Sequence, residues 1–268
     1  MQSFPYKGIK VRNLLNHTSG IPDYIHIFQK KWNKDLVVTN ADVLEYFRKF
    51  KPGLKFKPKH DWEYSNAGYV FLSLLIEFLT DNSFSEFLTE NIFHPIDMKN
   101  SRICDGLSSK NAIPNFALGK VFDFNKNSFE YPEGYTEYEY VTFLDGIQGD
   151  GAIKMSAPDL LRWNNELLEL NFIGDELCNL MFTKSRIINK IEIDYGLGWF
   201  INNDTELGKI VYHGGSWPGY STYNSIYLDQ GISIISLCNQ TKSIEAEQKI
   251  IQEVENIIFK NELSNGFS

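Results

Sequence analysis

The chain is poor in the features that announce several protein classes. Its cysteines, Cys104, Cys178 and Cys238, are isolated, three in number and without Cys-x-x-Cys spacing. That excludes a disulfide-stapled scaffold and a cysteine-bound zinc site, and leaves them as small hydrophobes. Long apolar runs are missing. A bilayer span needs roughly 20 apolar residues, and Phe71 to Leu79 is short and interrupted by Ser73 and Glu77. Positive charge is in deficit, with 26 Lys and Arg against 34 Asp and Glu for a net charge of −8. Nucleic acid and anionic membranes both favour basic surfaces, so neither is expected as the main partner. His26, His60 and His94 form no metal-binding spacing, and neither G-x-x-x-x-G-K-[ST] nor G-x-G-x-x-G occurs. Met1 to Pro5 shows no signal-peptide pattern, and no internal repeat is visible.

What the chain has is size and aromatic mass. Its 268 residues can bury a sizeable core, and 43% hydrophobic with 15% aromatic content reads as globular. The expected organisation is a single domain over 1–268, with a helical and loop-rich part to about 190 and a sheet plus closing helix after it. Gly8 to Asn16 suggests a helical turn, and Thr39 caps a helix to about Phe50 with Val43, Leu44, Phe47 and Phe50 on one face. A strongly apolar helix runs from about Ala67 to Thr80, with Asn66 as its expected N-cap, and Phe84 to Ile92 reads as a shorter one. Ser101 to Gly149 is irregular and predicts loops and short strands roofing a cleft. Ser156 to Asp159 then starts a helix reaching about Leu168.

The last third changes to a period of two. Tyr195 to Ile201, Lys209 to His213, Tyr220 to Leu228 and Gly231 to Cys238 read as strands, with a tight turn at Asp229-Gln230-Gly231. Ile244 to Phe259 closes the chain as an amphipathic helix with Ile250, Ile251, Val254, Ile257 and Ile258 on its apolar stripe. Helices, then an antiparallel sheet, then a covering helix make an α+β fold.

Three short patterns carry the chemistry. Leu15-Asn16-His17-Thr18-Ser19-Gly20 lies near the start, Tyr64-Ser65-Asn66 precedes the apolar helix, and His213-Gly214-Gly215 ends the Lys209 strand. Tyr195-Gly196-Leu197-Gly198-Trp199, Gly151 to Ser156 and Leu237-Cys238-Asn239 support them. In this order they resemble the serine β-lactamase and penicillin-binding-protein superfamily, nearest its class C and esterase-like branch. The resemblance runs from about Ile9 to the C-terminus. It implies an α+β β-lactamase/transpeptidase-like fold: an antiparallel sheet flanked by helices, with an additional mostly helical and loop region. That family acylates a serine in a Ser-x-x-Lys helical turn. Neither Ser-x-x-Lys nor Thr-x-x-Lys occurs here, and the family's N-terminal strands and nucleophile helix have no counterpart in the sequence. The Gly231 to Cys238 strand is then expected to have an open edge.

The resemblance assigns Tyr64 to proton transfer, once nearby cations lower its pKa, and Asn66 and His213 to orienting substrate. Gly215 and Ser216 fall at the oxyanion position, where the Ser216 N–H would face the developing charge. Many members carry Lys where this chain has His213, and a neutral histidine holds a substrate carboxylate less well, which weighs against β-lactam hydrolysis. Ser19 two residues from His17 does not make a catalytic pair, because residues so close in a turn do not place hydroxyl and imidazole productively and no carboxylate completes them. Tyr24, Trp62, Tyr138 and Trp217 are candidate pocket aromatics, although core packing explains them equally.

Two functions stay open. One is a serine hydrolase of an ester, a D-amino-acid peptide or a related amide, with its Ser and Lys supplied from upstream and no metal or organic cofactor. The other is a truncated or non-catalytic relative that at most binds peptidoglycan-like peptides. A start at Met1 so near a family loop fits either a gene-model artefact or a true truncation. Relatives are often exported, but compartment and oligomeric state are not written in this sequence.

Overall fold

The computed structural model describes residues 4–103, 113–170, 173–241 and 244–265. Cys104 lies outside them. The described strands begin with short ones, β1 (Arg102–Ile103), β2 (Val121–Asp123), β3 (Ser128–Glu130), β4 (Ile153–Lys154), β5 (Ser185–Arg186) and β6 (Glu192–Ile193). Four longer strands follow, β7 (Phe200–Thr205), β8 (Gly208–Trp217), β9 (Tyr220–Tyr227) and β10 (Ile232–Cys238), and form one antiparallel sheet in the order β10-β9-β8-β7. Alternation splits their side chains between two apolar layers. Ile201, Val211 and Ile226 share one face and pack with Leu167, Cys178, Phe182 and Trp199 beneath the helices Ala157–Glu169 and Asp175–Met181. Ile210, Tyr227 and Ile234 face the other way and pack against Ile251 and Phe259 of the last helix, Ile244–Asn265.

That helix uses a stripe slightly different from the expected one. Ile251, Val254, Ile258 and Phe259 meet the sheet, whereas Ile250 and Ile257 are exposed. At 100° per residue, positions 250 and 257 fall one step round the helix from 251 and 258. Phe50 likewise points outward from the helix Asn40–Phe50, with only Val43 and Phe47 of its expected face buried. Tyr195 to Gly198 is a turn and not the start of a strand, so β7 begins at Phe200. β8 in contrast runs four residues past the expected end at His213, to Trp217.

The helical part has its own core. The turn Val11–Leu15, the helices Ile25–Lys31, Asn40–Phe50 and Asn66–Thr80, and the loop around Leu144 contribute Leu14, Tyr24, Phe28, Val43, Phe47, Val70, Phe71 and Ile147. Thr39 caps the helix Asn40–Phe50 through a reciprocal bond pattern with Asp42. The helix Ile25–Lys31 has no strong periodic signal and was not expected. Residues 84–93 are α-helical to Leu88 and then widen into a π turn, Thr89–Phe93. The irregular middle holds a two-residue pairing of Arg102–Ile103 with Ile153–Lys154, a hairpin of Val121–Asp123 with Ser128–Glu130, and 3₁₀ turns before a short helix, Tyr140–Phe143. Among the described residues no helix is long and apolar enough to cross a membrane.

Candidate active site

The segment from Asn13 to Gly20 is largely buried, bonded partly within itself and partly to its surroundings, as where Asn16 Nδ2 donates to Ser185 Oγ (3.1 Å). Asn13 Nδ2 donates to Thr18 Oγ1 (3.0 Å), Thr18 Oγ1 donates to Asn16 Oδ1 (2.7 Å), and Ser19 Oγ accepts the Ile21 N–H (3.2 Å). Ser19 is therefore spent on its own loop, deep in the protein. Gly20 is required: its φ is +74°, and a Cβ there would lie 2.1 Å from the Phe56 carbonyl oxygen. The loop presents His17 upward. Its ring lies 4.1 Å from that of Tyr64, tilted by 36°, and its Nδ1 accepts the Ser65 N–H at 3.2 Å.

Asn66 opens the buried helix, and its anchoring differs from the expected cap. Ser65 holds the cap position but makes no side-chain cap bond. The acceptor comes from elsewhere: Asp23 Oδ2 takes both the Asn66 N–H (2.7 Å) and its Nδ2–H (2.9 Å). A carboxylate at a helix N-terminus also suits the helix dipole. One Asp23 oxygen thus fixes the amide plane of Asn66 and leaves its carbonyl oxygen for another partner.

β8 brings the third pattern to the same region. β7 pairs with β8 only as far as Phe200 opposite Tyr212, so among the described residues His213 to Trp217 pair only with β9. Gly214, Gly215 and Ser216 are exposed there. A Cβ on Gly215 would meet Thr222 Oγ1 at 2.8 Å. His213 is half-buried, its ring 6.0 Å from Tyr64.

These elements border a cavity of about 640 Å³. Asn66, Gly215 and Ser216 line it, together with Tyr24, Asp150 and Trp217. Tyr64 and His213 stand next to each other but are not on that wall, and Trp62 and Tyr138 are not on it either. Trp62 packs instead against His17 and Tyr195, at 6.2 and 5.8 Å. Arg102 and Lys154, opposite each other in their two-strand pairing, line a further part of the cavity.

The electrostatics correct one expectation. Burial first, then the charges of Asp150 and Asp23, push the Tyr64 phenol up to about 12. Those charges are anionic, so this environment holds the phenol protonated at neutral pH. Asp150 is the strongest feature missed in the sequence. Its Oδ2 accepts the Tyr24 O–H at 2.7 Å, and burial raises its carboxyl from 3.8 to about 6 despite that bond. Gly149 before it has φ +105° and passes so close to Tyr69 that a Cβ would lie 2.6 Å from the Tyr69 carbonyl oxygen. The Gly-x-Gly flank of Asp150 was the available signal for a cleft-facing loop. Among the described residues no cluster of three or more His, Cys, Asp or Glu could hold a metal ion.

Helices packed on an antiparallel sheet, a Tyr-x-Asn at the head of a buried helix and a His-Gly-Gly on an open strand mark the β-lactamase fold. The chain belongs to the beta-lactamase family, whose model matches residues 2–256. It is 37% identical over 259 residues to penicillin-binding protein 4* of Bacillus subtilis, covering 97% of this chain and 57% of that protein. Protein flp of Staphylococcus aureus strain MW2 is 26% identical over 239 residues, 86% of this chain and 43% of that one. The chain thus spans about half the length of the curated relatives it matches. Among solved structures, a penicillin-binding protein from Bacillus halodurans superposes with a TM-score of 0.77 at 22% identity, over 94% of this chain and 74% of that one. A D-amino acid amidase from Ochrobactrum anthropi SV3, complexed with L-phenylalanine, gives 0.73 at 19% identity, over 95% and 74%. These likenesses show the fold.

Proposed function

We propose that this chain forms the substrate-orienting part of a serine acyl-transfer site for an ester, a D-amino-acid peptide or a related amide, working through an acyl-enzyme. The observation that carries the reading is the shared cavity wall of Asn66, Gly215 and Ser216. Asn66, its amide plane fixed by Asp23, would hold the substrate carbonyl or amide. The Ser216 N–H, on the half of β8 that lacks β7, would meet the oxyanion, a contribution of about 3 kcal/mol to the barrier in other acyl-transfer enzymes. The nucleophilic serine and its lysine are not among these 268 residues and would have to come from outside them. Tyr64 fits a proton donor to the leaving group better than a base until such a lysine stands beside it. Similarity to penicillin-binding proteins and a D-amino acid amidase supports the substrate class, and His213 in place of lysine weighs against β-lactams.

A second reading, a non-catalytic relative that binds peptidoglycan-like peptides, is favoured by the missing Ser-x-x-Lys alone. Losing one member of a cooperating catalytic set costs nearly as much as losing all of them. Intact mass after incubation with a fluorophosphonate separates the possibilities. The chain alone is expected to take no adduct and to leave a chromogenic ester uncleaved. Grafting a family member's Ser-x-x-Lys helix and preceding strands ahead of Ile9 is expected to give a stoichiometric adduct and turnover of a D-alanyl ester. An adduct on Ser19, Ser65 or Ser216 of the ungrafted chain would overturn the assignment. A well-folded graft that acylates nothing would favour the binding protein.

A further inference from the structure

Four hydrogen bonds run in one line from the second pattern to the third. The Ser65 N–H donates to His17 Nδ1 at 3.2 Å, and His17 Nε2 lies 3.1 Å from Tyr195 Oη. The same Oη lies 3.2 Å from His213 Nε2, and His213 Nδ1 lies 2.7 Å from the Gly214 carbonyl oxygen. Both ends are fixed by chemistry. A backbone N–H only donates, so His17 Nδ1 carries no hydrogen. A backbone carbonyl only accepts, so His213 Nδ1 carries one.

The middle follows from those ends. Burial, and then repulsion from His213, lowers His17 to about 3, so its ring is neutral and its hydrogen sits on Nε2. That N–H donates to the Tyr195 oxygen. Burial pushes the Tyr195 phenol far up, so it keeps its own hydrogen, for which two acceptors stand near: His213 Nε2 and the oxygen of Tyr69, whose own hydrogen goes to the Leu15 carbonyl at 2.8 Å. His213 is itself lowered by burial, which the Gly214 bond only partly offsets, and its Nε2 is therefore bare and able to accept. With the Tyr195 hydrogen turned to His213, every donor in the row meets one acceptor; turned to Tyr69, it would leave the bare His213 Nε2 opposed to an oxygen lone pair at 3.2 Å. The other rings facing His213 are Tyr64 at 6.0 Å and Phe200 at 5.5 Å, and neither is anionic.

We propose that Tyr195, and His17 through it, are positioning residues that lock His213 as the Nδ1–H tautomer with both ring nitrogens spent inside the protein. The third pattern then offers substrate an uncharged ring and no free N–H, and the site takes uncharged esters and amides ahead of peptides that end in a carboxylate on that side. The substrate half rests on the function proposed above; the tautomer half does not.

Long-range ¹H–¹⁵N spectra of the chain carrying ¹⁵N-histidine test the tautomer directly. At pH 8 His213 is expected to show Nδ1 protonated and Nε2 bare, and His17 the reverse, with His213 taking up its second proton only below its ordinary 6.5. In Tyr195→Phe, which keeps the ring and deletes the donor, His213 Nε2 is freed and its titration midpoint rises toward 6.5. A wild-type His213 protonated on Nε2, or titrating at its ordinary value, overturns the proposal even if the variant fails to fold. For the substrate half, the Gly215 and Ser216 amide signals are followed while acetyl-D-alanyl-D-alanine or its C-terminal amide is added. The free acid is expected to bind at least about threefold more weakly than the amide. Equal or tighter binding of the acid refutes the specificity. No response to either peptide refutes the proposed function instead and leaves the tautomer result standing.

Discussion

Replacing Asp150 with asparagine measures what the cavity carboxylate costs the fold. Its carboxyl titrates at about 6 in the folded chain against 3.8 unperturbed, a difference of about 2 units. Each unit is 1.36 kcal/mol, so keeping the group ionised costs the folded state about 3 kcal/mol above pH 6. The sign follows from the raised value: the native state binds the proton more tightly than the unfolded chain. This group's favourable contribution is full below about pH 3.8 and is lost as the pH rises through 6. The amide that replaces the carboxyl could still accept from Tyr24 but never ionises. Its N–H₂ would face the Asp150 and Gly151 backbone N–H groups that now donate to the carboxylate, a loss of about 1 kcal/mol. Asp150→Asn is therefore expected to be more stable than wild type by about 2 kcal/mol at pH 8, or about 4–8 °C in Tm. At pH 4 the gain vanishes and the variant is slightly less stable. Urea unfolding at both pH values, followed by circular dichroism, decides it. A variant less stable at pH 8, or a difference that does not change with pH, would refute the reasoning.

Two further substitutions probe the parts that hold the site. Asp23→Ala removes the acceptor of both Asn66 bonds and should lower stability by about 1–2 kcal/mol in chemical denaturation, a helix-cap loss, while broadening the Asn66 side-chain amide signals. Gly20→Ala forces a Cβ against the Phe56 carbonyl at positive φ and should cost about 2–3 kcal/mol, read as a fall in Tm with an unchanged m-value.

Much of this was legible in the sequence, for physical reasons that differ by element. The sheet strands alternate where they face two apolar layers, so β9 and β10 were readable nearly to their ends and β8 only to His213, beyond which Gly214, Gly215 and Ser216 are exposed and carry no alternation. Asn66, Gly215 and Ser216 stood out because their patterns are ordered along the chain, and the fold sets them on one wall. Asp150 could not be weighted beforehand. Its meaning lies in a burial and a tyrosine 126 residues away, and neither leaves a local trace. Asp23 escaped for the same reason: it caps a helix that begins 43 residues later. The role of Tyr195 escaped too, since a Tyr-Gly-Leu-Gly-Trp turn does not announce a phenol held between two imidazoles.

The outer side of β10 sets a limit on how the protein can be handled. Ile232 to Cys238 contains no charge and no proline, and among the described residues it pairs only with β9. Folding of one chain is first order, whereas joining two such edges is second order in concentration. Dilution during refolding therefore shifts the competition toward the monomer. A lysine placed on that strand's solvent side should act in the same direction at any concentration, by making the joined edge carry like charges.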